Sequence, residues 1–357
     1  GKNVDLALLS GGEKIDIDTY EDWNLCEYYL NKKHILFVVT GNNNVGLGHV
    51  YNTLLIANDI LNHDVTFLLD KESELAFNVI KSKNFHVIIQ QNDDIIEDIR
   101  LINPDVIIND RLDTSKDYML QLKKQSYKVV NIEDLGTGCE EADIVINAIY
   151  PEKHCLPNHY FGHDYFILRD EFILSEPKNV KQNVENILIT FGGVDPNNYT
   201  EKVIRTINNH CIENNIKITV IAGFGYKKYY TIDKYPNVTI KQNISNISDY
   251  MLKADLIFSS AGRTVYEVAS IGTPCIVMEQ NKREMTHFFA SSAFGFSNLG
   301  LGYEVEDSDL FTEFIRLVDS FDSRKHMNEL MLKQNLKSGR KIVQRLIQDL
   351  IQDLIQD

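Results

Sequence analysis

The alternation of short β-branched runs with longer helix-period stretches constrains this chain more than any single motif does. From His34 onward, HILFVV, DVTFLLD, HVIIQ, DVIIND, KVVNIED and DIVINA are separated by amphipathic segments such as VYNTLLIANDIL. Apolar strands joined through helices read as a parallel sheet covered on its faces. A second series, NILITFGG, KITVIAG, VTIKQN, LIFSSAG and CIVMEQ, repeats the rhythm. The expected fold class is α/β, with two Rossmann-like parallel-sheet domains facing a central cleft. The polar stretch ILSEPKNVKQNVE, carrying Pro177, marks the join. The expected division is a separate piece over residues 1–31, a first domain over 32–172, a linker over 173–185, a second domain over 186–340 and a C-terminal helix over 341–357.

A length of 357 residues suits two domains, each with its own core. The net charge of −15 argues against nucleic acid or anionic membranes as partners, so a small molecule is the expected one. Five cysteines without a CxxC pair point to a reducing compartment and away from structural zinc. With no membrane-length apolar run and no signal-peptide order in the first thirty residues, the expected location is the cytoplasm. The chain begins at Gly1, so the numbering is expected to start inside a longer polypeptide.

Both termini depart from the α/β rhythm. Thr19 with Asp22 three residues later is a helix-start pair, and a helix is expected to about Leu30. At the other end LIQD is repeated three times, from Leu346 to Asp357. A four-residue period drifts around a helix, so the expectation is a frayed tail without a lasting apolar stripe.

Glycine-rich turns follow the first strand of each series, and ligands of open α/β sheets sit at such strand ends. In GNNNVGLGH, Gly46 and Gly48 allow a tight turn and His49 begins a helix. The positive end of that helix is expected to hold His49 near its neutral form, ready to accept a proton, although a histidine that merely bonds the loop fits the same pattern. In ITFGGVDPNN, Gly192 and Gly193 end a strand and lead into a helix near Asn197 or Asn198, a geometry suited to cradling phosphate, although a plain strand-to-helix turn fits the same residues. In SSAGRTVYE, Gly262, Arg263 and Thr264 open a helix whose amide groups suit a diphosphate, and Glu267 lies one turn in, where a carboxylate takes ribose hydroxyls or simply faces solvent. The run KHCLPNHYFGH holds His154, Cys155, His159 and His163 but has neither an HxxxH helix nor a CxxC, so no metal site is expected. No GxxxxGK[ST] and no GxSxG occurs.

Together, GLGHVYNTLLIA, FILRDEF, ITFGGVDPNN, SSAGRTVYE and QNKREMTH resemble the hydrolases of pseudaminic acid biosynthesis that cleave UDP-2,4-diacetamido-2,4,6-trideoxy-β-L-altropyranose, and their relatives in spore coat polysaccharide synthesis. The resemblance spans roughly Lys33 to Arg340. It implies the GT-B fold, with the nucleotide on the second domain and the sugar reaching the first. It further implies that His49 activates water for inverting attack at the anomeric carbon, that Gly192 and Gly193 approach the pyrophosphate, that Glu267 meets the ribose, and that Gln280 and Asn281 line the sugar or phosphate side with no cofactor. Asn52 and Thr53 stand where many members of that family have Arg and Cys, which puts the identity of the sugar held beside Asn52 in question. The segment KIDIDTYEDWNLCEYYL resembles the end of CMP-sialic acid synthetases, implying a fused upstream cytidylyltransferase. A glycosyltransferase in which His49 deprotonates an acceptor, and a non-catalytic nucleotide-sugar-binding module, are the alternatives.

Overall fold

The computed structural model describes residues 11–42, 46–152, 156–223, 225–232, 234–242 and 244–356, and every strand pairing among these described residues is parallel. Before the first sheet comes α1 (Tyr20–Asn31). Its N-terminus is closed by a capping box: the Asp22 amide donates to the Thr19 hydroxyl and the Thr19 amide donates to the Asp22 carboxylate. None of its residues is buried, and Tyr20, Trp23 and Leu30 are exposed.

The first domain runs β1 (His34–Val39), α2 (Gly48–Asp59), β2 (Asp64–Leu69), α3 (Glu74–Lys81), β3 (His86–Ile89) and α4 (Ile95–Ile102). It continues through β4 (Val106–Asp110), α5 (Lys116–Lys123), β5 (Lys128–Ile132), β6 (Ile144–Asn147), β7 (His159–Phe161) and the short α6 (Asp170–Ile173). The second begins with β8 (Asn186–Thr190), α7 (Tyr199–Glu213), β9 (Lys217–Ala222), β10 (Val238–Gln242) and α8 (Ile247–Lys253). After β11 (Leu256–Ser259), α9 (Thr264–Ile271), β12 (Cys275–Glu279) and β13 (Phe296–Leu301), it closes with α10 (Asp307–Asp319), α11 (Phe321–Leu332) and α12 (Gly339–Gln356).

Strand order is β3-β2-β1-β4-β5-β6-β7 in one sheet and β10-β9-β8-β11-β12-β13 in the other. Each sheet therefore reverses direction once, between β1 and β4 and between β8 and β11. A crevice opens outside the carboxyl ends of the strands at such a reversal. The loops singled out in the sequence follow β1, β8 and β11, three of the four strands at these two points.

The join between the domains is pinned. Residues 174–185 carry neither helix nor strand, yet Lys178 is buried and donates to the Leu252 carbonyl at 2.8 Å and to Asp255 at 3.3 Å. Fully buried Arg324 donates to the Lys181 and Gln182 carbonyls. Aromatic rings bridge the halves: Phe166 stacks on Tyr266 at 4.2 Å and Tyr266 on Phe289 at 4.4 Å.

The LIQD tail is not frayed. It forms most of α12, which returns to the first domain and buries Val343, Ile347, Leu350 and Ile351 in the core that holds β1, β2 and α2. Each repeat offers two adjacent apolar residues, so the stripe is wide enough to absorb a drift of about 40° per repeat against a 3.6-residue turn.

Candidate active site

Two helix N-termini converge at the cleft. Gly46 adopts φ +82°, a left-handed conformation that glycine takes without strain, and turns the chain from β1 into α2. A Cβ placed on Gly48 would lie 3.6 Å from Cδ of Arg263, the residue that precedes α9. Each helix start directs free amide groups and a positive dipole end at the gap, favouring an anion there.

His49 lies in the first turn of α2 with its side chain 14 % exposed. Its Nδ1 is bonded to Asp110, a carboxylate with no exposure at the end of β4. This pairing opposes the effect expected of the helix dipole on the ring. Burial does disfavour the charged ring, but the Asp110 carboxylate on Nδ1, with Glu133 behind it, more than offsets burial and lifts the pKa above its ordinary value; Arg263 acts in the opposite direction. The helix dipole faces a full negative charge at bonding distance, and the nearer charge prevails. With Nδ1 engaged, Nε2 is the ring atom left for proton transfer.

Asp110 itself is held in place. Its second oxygen accepts from Asn52 Nδ2 at 3.0 Å, and Asn52 Oδ1 accepts from Arg263 Nη2 at 2.9 Å. Asn52 is 3 % exposed, with one end of its amide on Asp110 and the other on Arg263. Thr53 donates to the His49 carbonyl at 2.9 Å. Arg263 also pairs with Glu133, which follows β5 with φ +55°, strained for a residue with a side chain. The Arg263 guanidinium lies 4.5 Å from the Phe166 ring centroid. Asn52, Ile132, Glu133, Ile146, Ala148, Tyr165, Ile167 and Arg263 close around one another too tightly to leave room for a water molecule.

The second domain supplies the other sequence candidates. Gly192, at φ +76°, and Gly193 both face open space, and Gly223 lies so close to them that a Cβ there would meet Gly193 Cα at 2.4 Å. Open glycines at a strand end leave the backbone accessible to a ligand. Gly262 and Thr264 flank Arg263 at the start of α9. Glu267 does not stand free, because Oε1 accepts from Arg169 Nε at 2.7 Å while the same guanidinium reaches Glu171 at 2.8 Å. Gln280 is 8 % exposed, donates to Asp195 at 3.0 Å and accepts from Asn197 at 3.0 Å, tying the β8 loop to β12. Asn281 accepts from the amides of Arg283 and Glu284, which closes a turn. Glu284 in turn accepts from the Gln280 and Ala261 amides, and burial pushes its carboxyl up to about 6.

The structure thus gathers Gly46, Gly48, His49, Asn52 and Arg263 at one point, while Gln280 and Asn281 hold loops. Asp110 and Glu133 were not anticipated, although a signal existed for the first: an acid ending DVIIND, on the strand beside β1. His154 and Cys155 lie outside the described residues, and His163 packs 5.2 Å from the Phe289 ring. Among the described residues no group of three or more His, Cys, Asp or Glu is placed to hold a metal, and no helix is long and apolar enough to cross a membrane.

Residues 186–346 match the glycosyltransferase family 28 C-terminal domain. An uncharacterized protein of Methanocaldococcus jannaschii is 32 % identical over 275 residues, covering 70 % of this chain and 56 % of that protein; the chain thus spans about half the length of this relative. Spore coat polysaccharide biosynthesis protein SpsG of Bacillus subtilis is 25 % identical over 316 residues, covering 83 % of this chain and 92 % of SpsG. Among solved structures, MurG of Acinetobacter baumannii superposes with a TM-score of 0.60 at 16 % identity, covering 89 % of this chain and 99 % of MurG. UDP-GlcNAc 2-epimerase of Neisseria meningitidis bound to UDP-GlcNAc gives 0.59 at 13 % identity, covering 88 % and 100 %. The chain is a homologue of SpsG with the GT-B fold, and its second domain matches the C-terminal domain of glycosyltransferase family 28.

Proposed function

We propose that this protein displaces the nucleoside diphosphate from a nucleotide sugar, with inversion at the anomeric carbon and His49 as general base. The observation that carries this is the His49–Asp110 dyad standing where the amide-rich starts of α2 and α9 meet. The incoming hydroxyl oxygen forms the new bond to the anomeric carbon while its proton passes to Nε2 of His49. The old carbon–oxygen bond breaks with its electron pair leaving on the diphosphate, whose charge the helix amides of 262–264 and the backbone at Gly192 and Gly193 stabilise.

The incoming hydroxyl belongs to a sugar acceptor in the reading favoured by the family 28 domain and the homology to a polysaccharide biosynthesis protein. The His49 side chain, only 14 % exposed, favours a second reading in which water is the nucleophile and the substrate is a UDP-linked amino-deoxy sugar of nonulosonic acid biosynthesis. The likeness of residues 1–31 to the end of a cytidylyltransferase supports placing the chain beside such an activity. Incubation with a UDP-sugar alone, followed by NMR of the anomeric proton, separates the two. Free α-configured sugar means hydrolysis; intact sugar together with tight UDP binding means transfer that awaits an acceptor. If UDP binds and no hydroxyl, water included, is ever glycosylated, the base role of His49 falls.

A further inference from the structure

Arg263 faces two ways. Its main chain belongs to the turn between β11 and α9, whose amide groups are the proposed seat of the diphosphate. Its side chain crosses to the first domain, where Nη2 donates to Asn52 Oδ1 at 2.9 Å and Nη1 pairs with Glu133. Asn52 Nδ2 donates to one oxygen of Asp110, and the other oxygen of Asp110 is bonded to His49. Four side chains thus run unbroken from the second domain to the base.

The central link is held at both ends. A primary amide has a donor end and an acceptor end of nearly the same shape, so which way Asn52 points is set by its neighbours. With the guanidinium against Oδ1, the NH2 group must face Asp110. Without it, Asp110 still favours the NH2 group, but the Oδ1 end loses its partner and the amide is held from one side only. The Arg263–Glu133 pair is part-buried, so its charges lose hydration that their attraction must offset, and Glu133 is in a strained backbone conformation besides. These costs fall on residues whose partners all lead to His49.

We propose that Arg263 is a positioning residue that, through the amide of Asn52, couples the occupancy of the turn at 262–264 to the alignment of the His49–Asp110 dyad. The coupling rests on the nucleotide reading above, since a ligand on that turn shifts the residue whose side chain fixes Asn52. The charged groups facing His49 are Asp110 from β4, Glu133 beyond β5 and Arg263 before α9. Loss of Arg263 removes the only cation among these three and leaves Glu133 unpaired, and both changes favour the imidazolium.

Ring nitrogen resonances of His49 test this on the full chain. In ligand-free protein, Arg263→Gln raises the His49 titration midpoint by about one pH unit, and Arg263→Lys, which keeps the charge but not the fork, falls between. Adding UDP shifts the His49 resonances of the wild type. In Asn52→Ala, or Asn52→Ser should the alanine variant misfold, UDP still binds in calorimetry but the His49 resonances stay still. An unmoved titration in Arg263→Gln, or an undiminished UDP response in the Asn52 variants, overturns the coupling. Failure of UDP to bind the wild type removes the nucleotide reading instead, a result the ligand-free titration does not share.

Discussion

Arg340 grips Asp59 with two parallel bonds, Nε and Nη2 each donating at 2.7 Å to one carboxylate oxygen. Arg340 lies in the first turn of α12, and Asp59 ends α2, the helix whose other end carries His49. The last helix of the chain is therefore fastened to the element that positions His49. Ile347→Ala, at a fully buried position of this contact, is expected to cost about 2–5 kcal/mol in urea unfolding monitored by circular dichroism. A cost near zero would mean that α12 leaves the first domain in solution.

His49→Ala is expected to lower turnover about a hundredfold or more, and Asp110→Asn to fall comparably because the ring loses the partner that fixes its tautomer. Since the base must be neutral, activity should rise with pH through a midpoint above the ordinary imidazole value of 6.5. Linkage runs the other way for stability. The His49–Asp110 pair stabilises the fold fully below about pH 6.5, and that contribution is lost as pH climbs through the raised midpoint. A pH–rate profile flat between pH 5 and 8 in steps of about one unit would exclude the histidine as base.

Glu267→Ala should weaken UDP affinity in calorimetry, while Arg169→Ala, which frees the carboxylate, should not weaken it. Unchanged affinity in Glu267→Ala would place the ribose elsewhere. The paired variants matter because Glu267 is now committed to Arg169 at 2.7 Å.

Glu284→Gln removes a carboxyl whose burial raises its midpoint from 4.5 to about 6, yet keeps an oxygen able to accept from the Gln280 and Ala261 amides. Stability associated with the raised carboxyl is complete below pH 4.5 and is lost as pH rises to about 6. The variant should therefore melt higher than the wild type at pH 8 and indistinguishably from it at pH 4, as read by calorimetric melting.

Continuous β-branched runs announce strands, and eleven runs of the sequence match β1 to β6 and β8 to β12, the exposed edge strands β3 and β10 included. The two that escaped, HYF at β7 and FSNLGL at β13, close one edge of each sheet, are short or partly exposed, and carry no continuous apolar signal. The same logic governs the site. His49 and the glycine turns were legible because tight turns demand particular residues. Asp110 and Glu133 were not, because their importance comes from strands β4 and β5 lying next to β1 in space, an adjacency set by sheet order and absent from local spacing. Arg263 was read from its backbone alone. The sequence shows that a helix opens there, but not that a side chain from one domain ends inside the other. The tail was misread for a different reason: an apolar pattern two residues wide tolerates drift that a single-file pattern would not.

Because α12 re-enters the first domain, the polypeptide passes between the two halves twice, once through the segment after α6 and once ahead of Gly339. A body joined by one thread swings in any direction, whereas a body joined by two separated threads is left with rotation about the line that connects them. With α12 packed into the first-domain core, any turning of one half of this molecule against the other has to flex the chain at both crossings together.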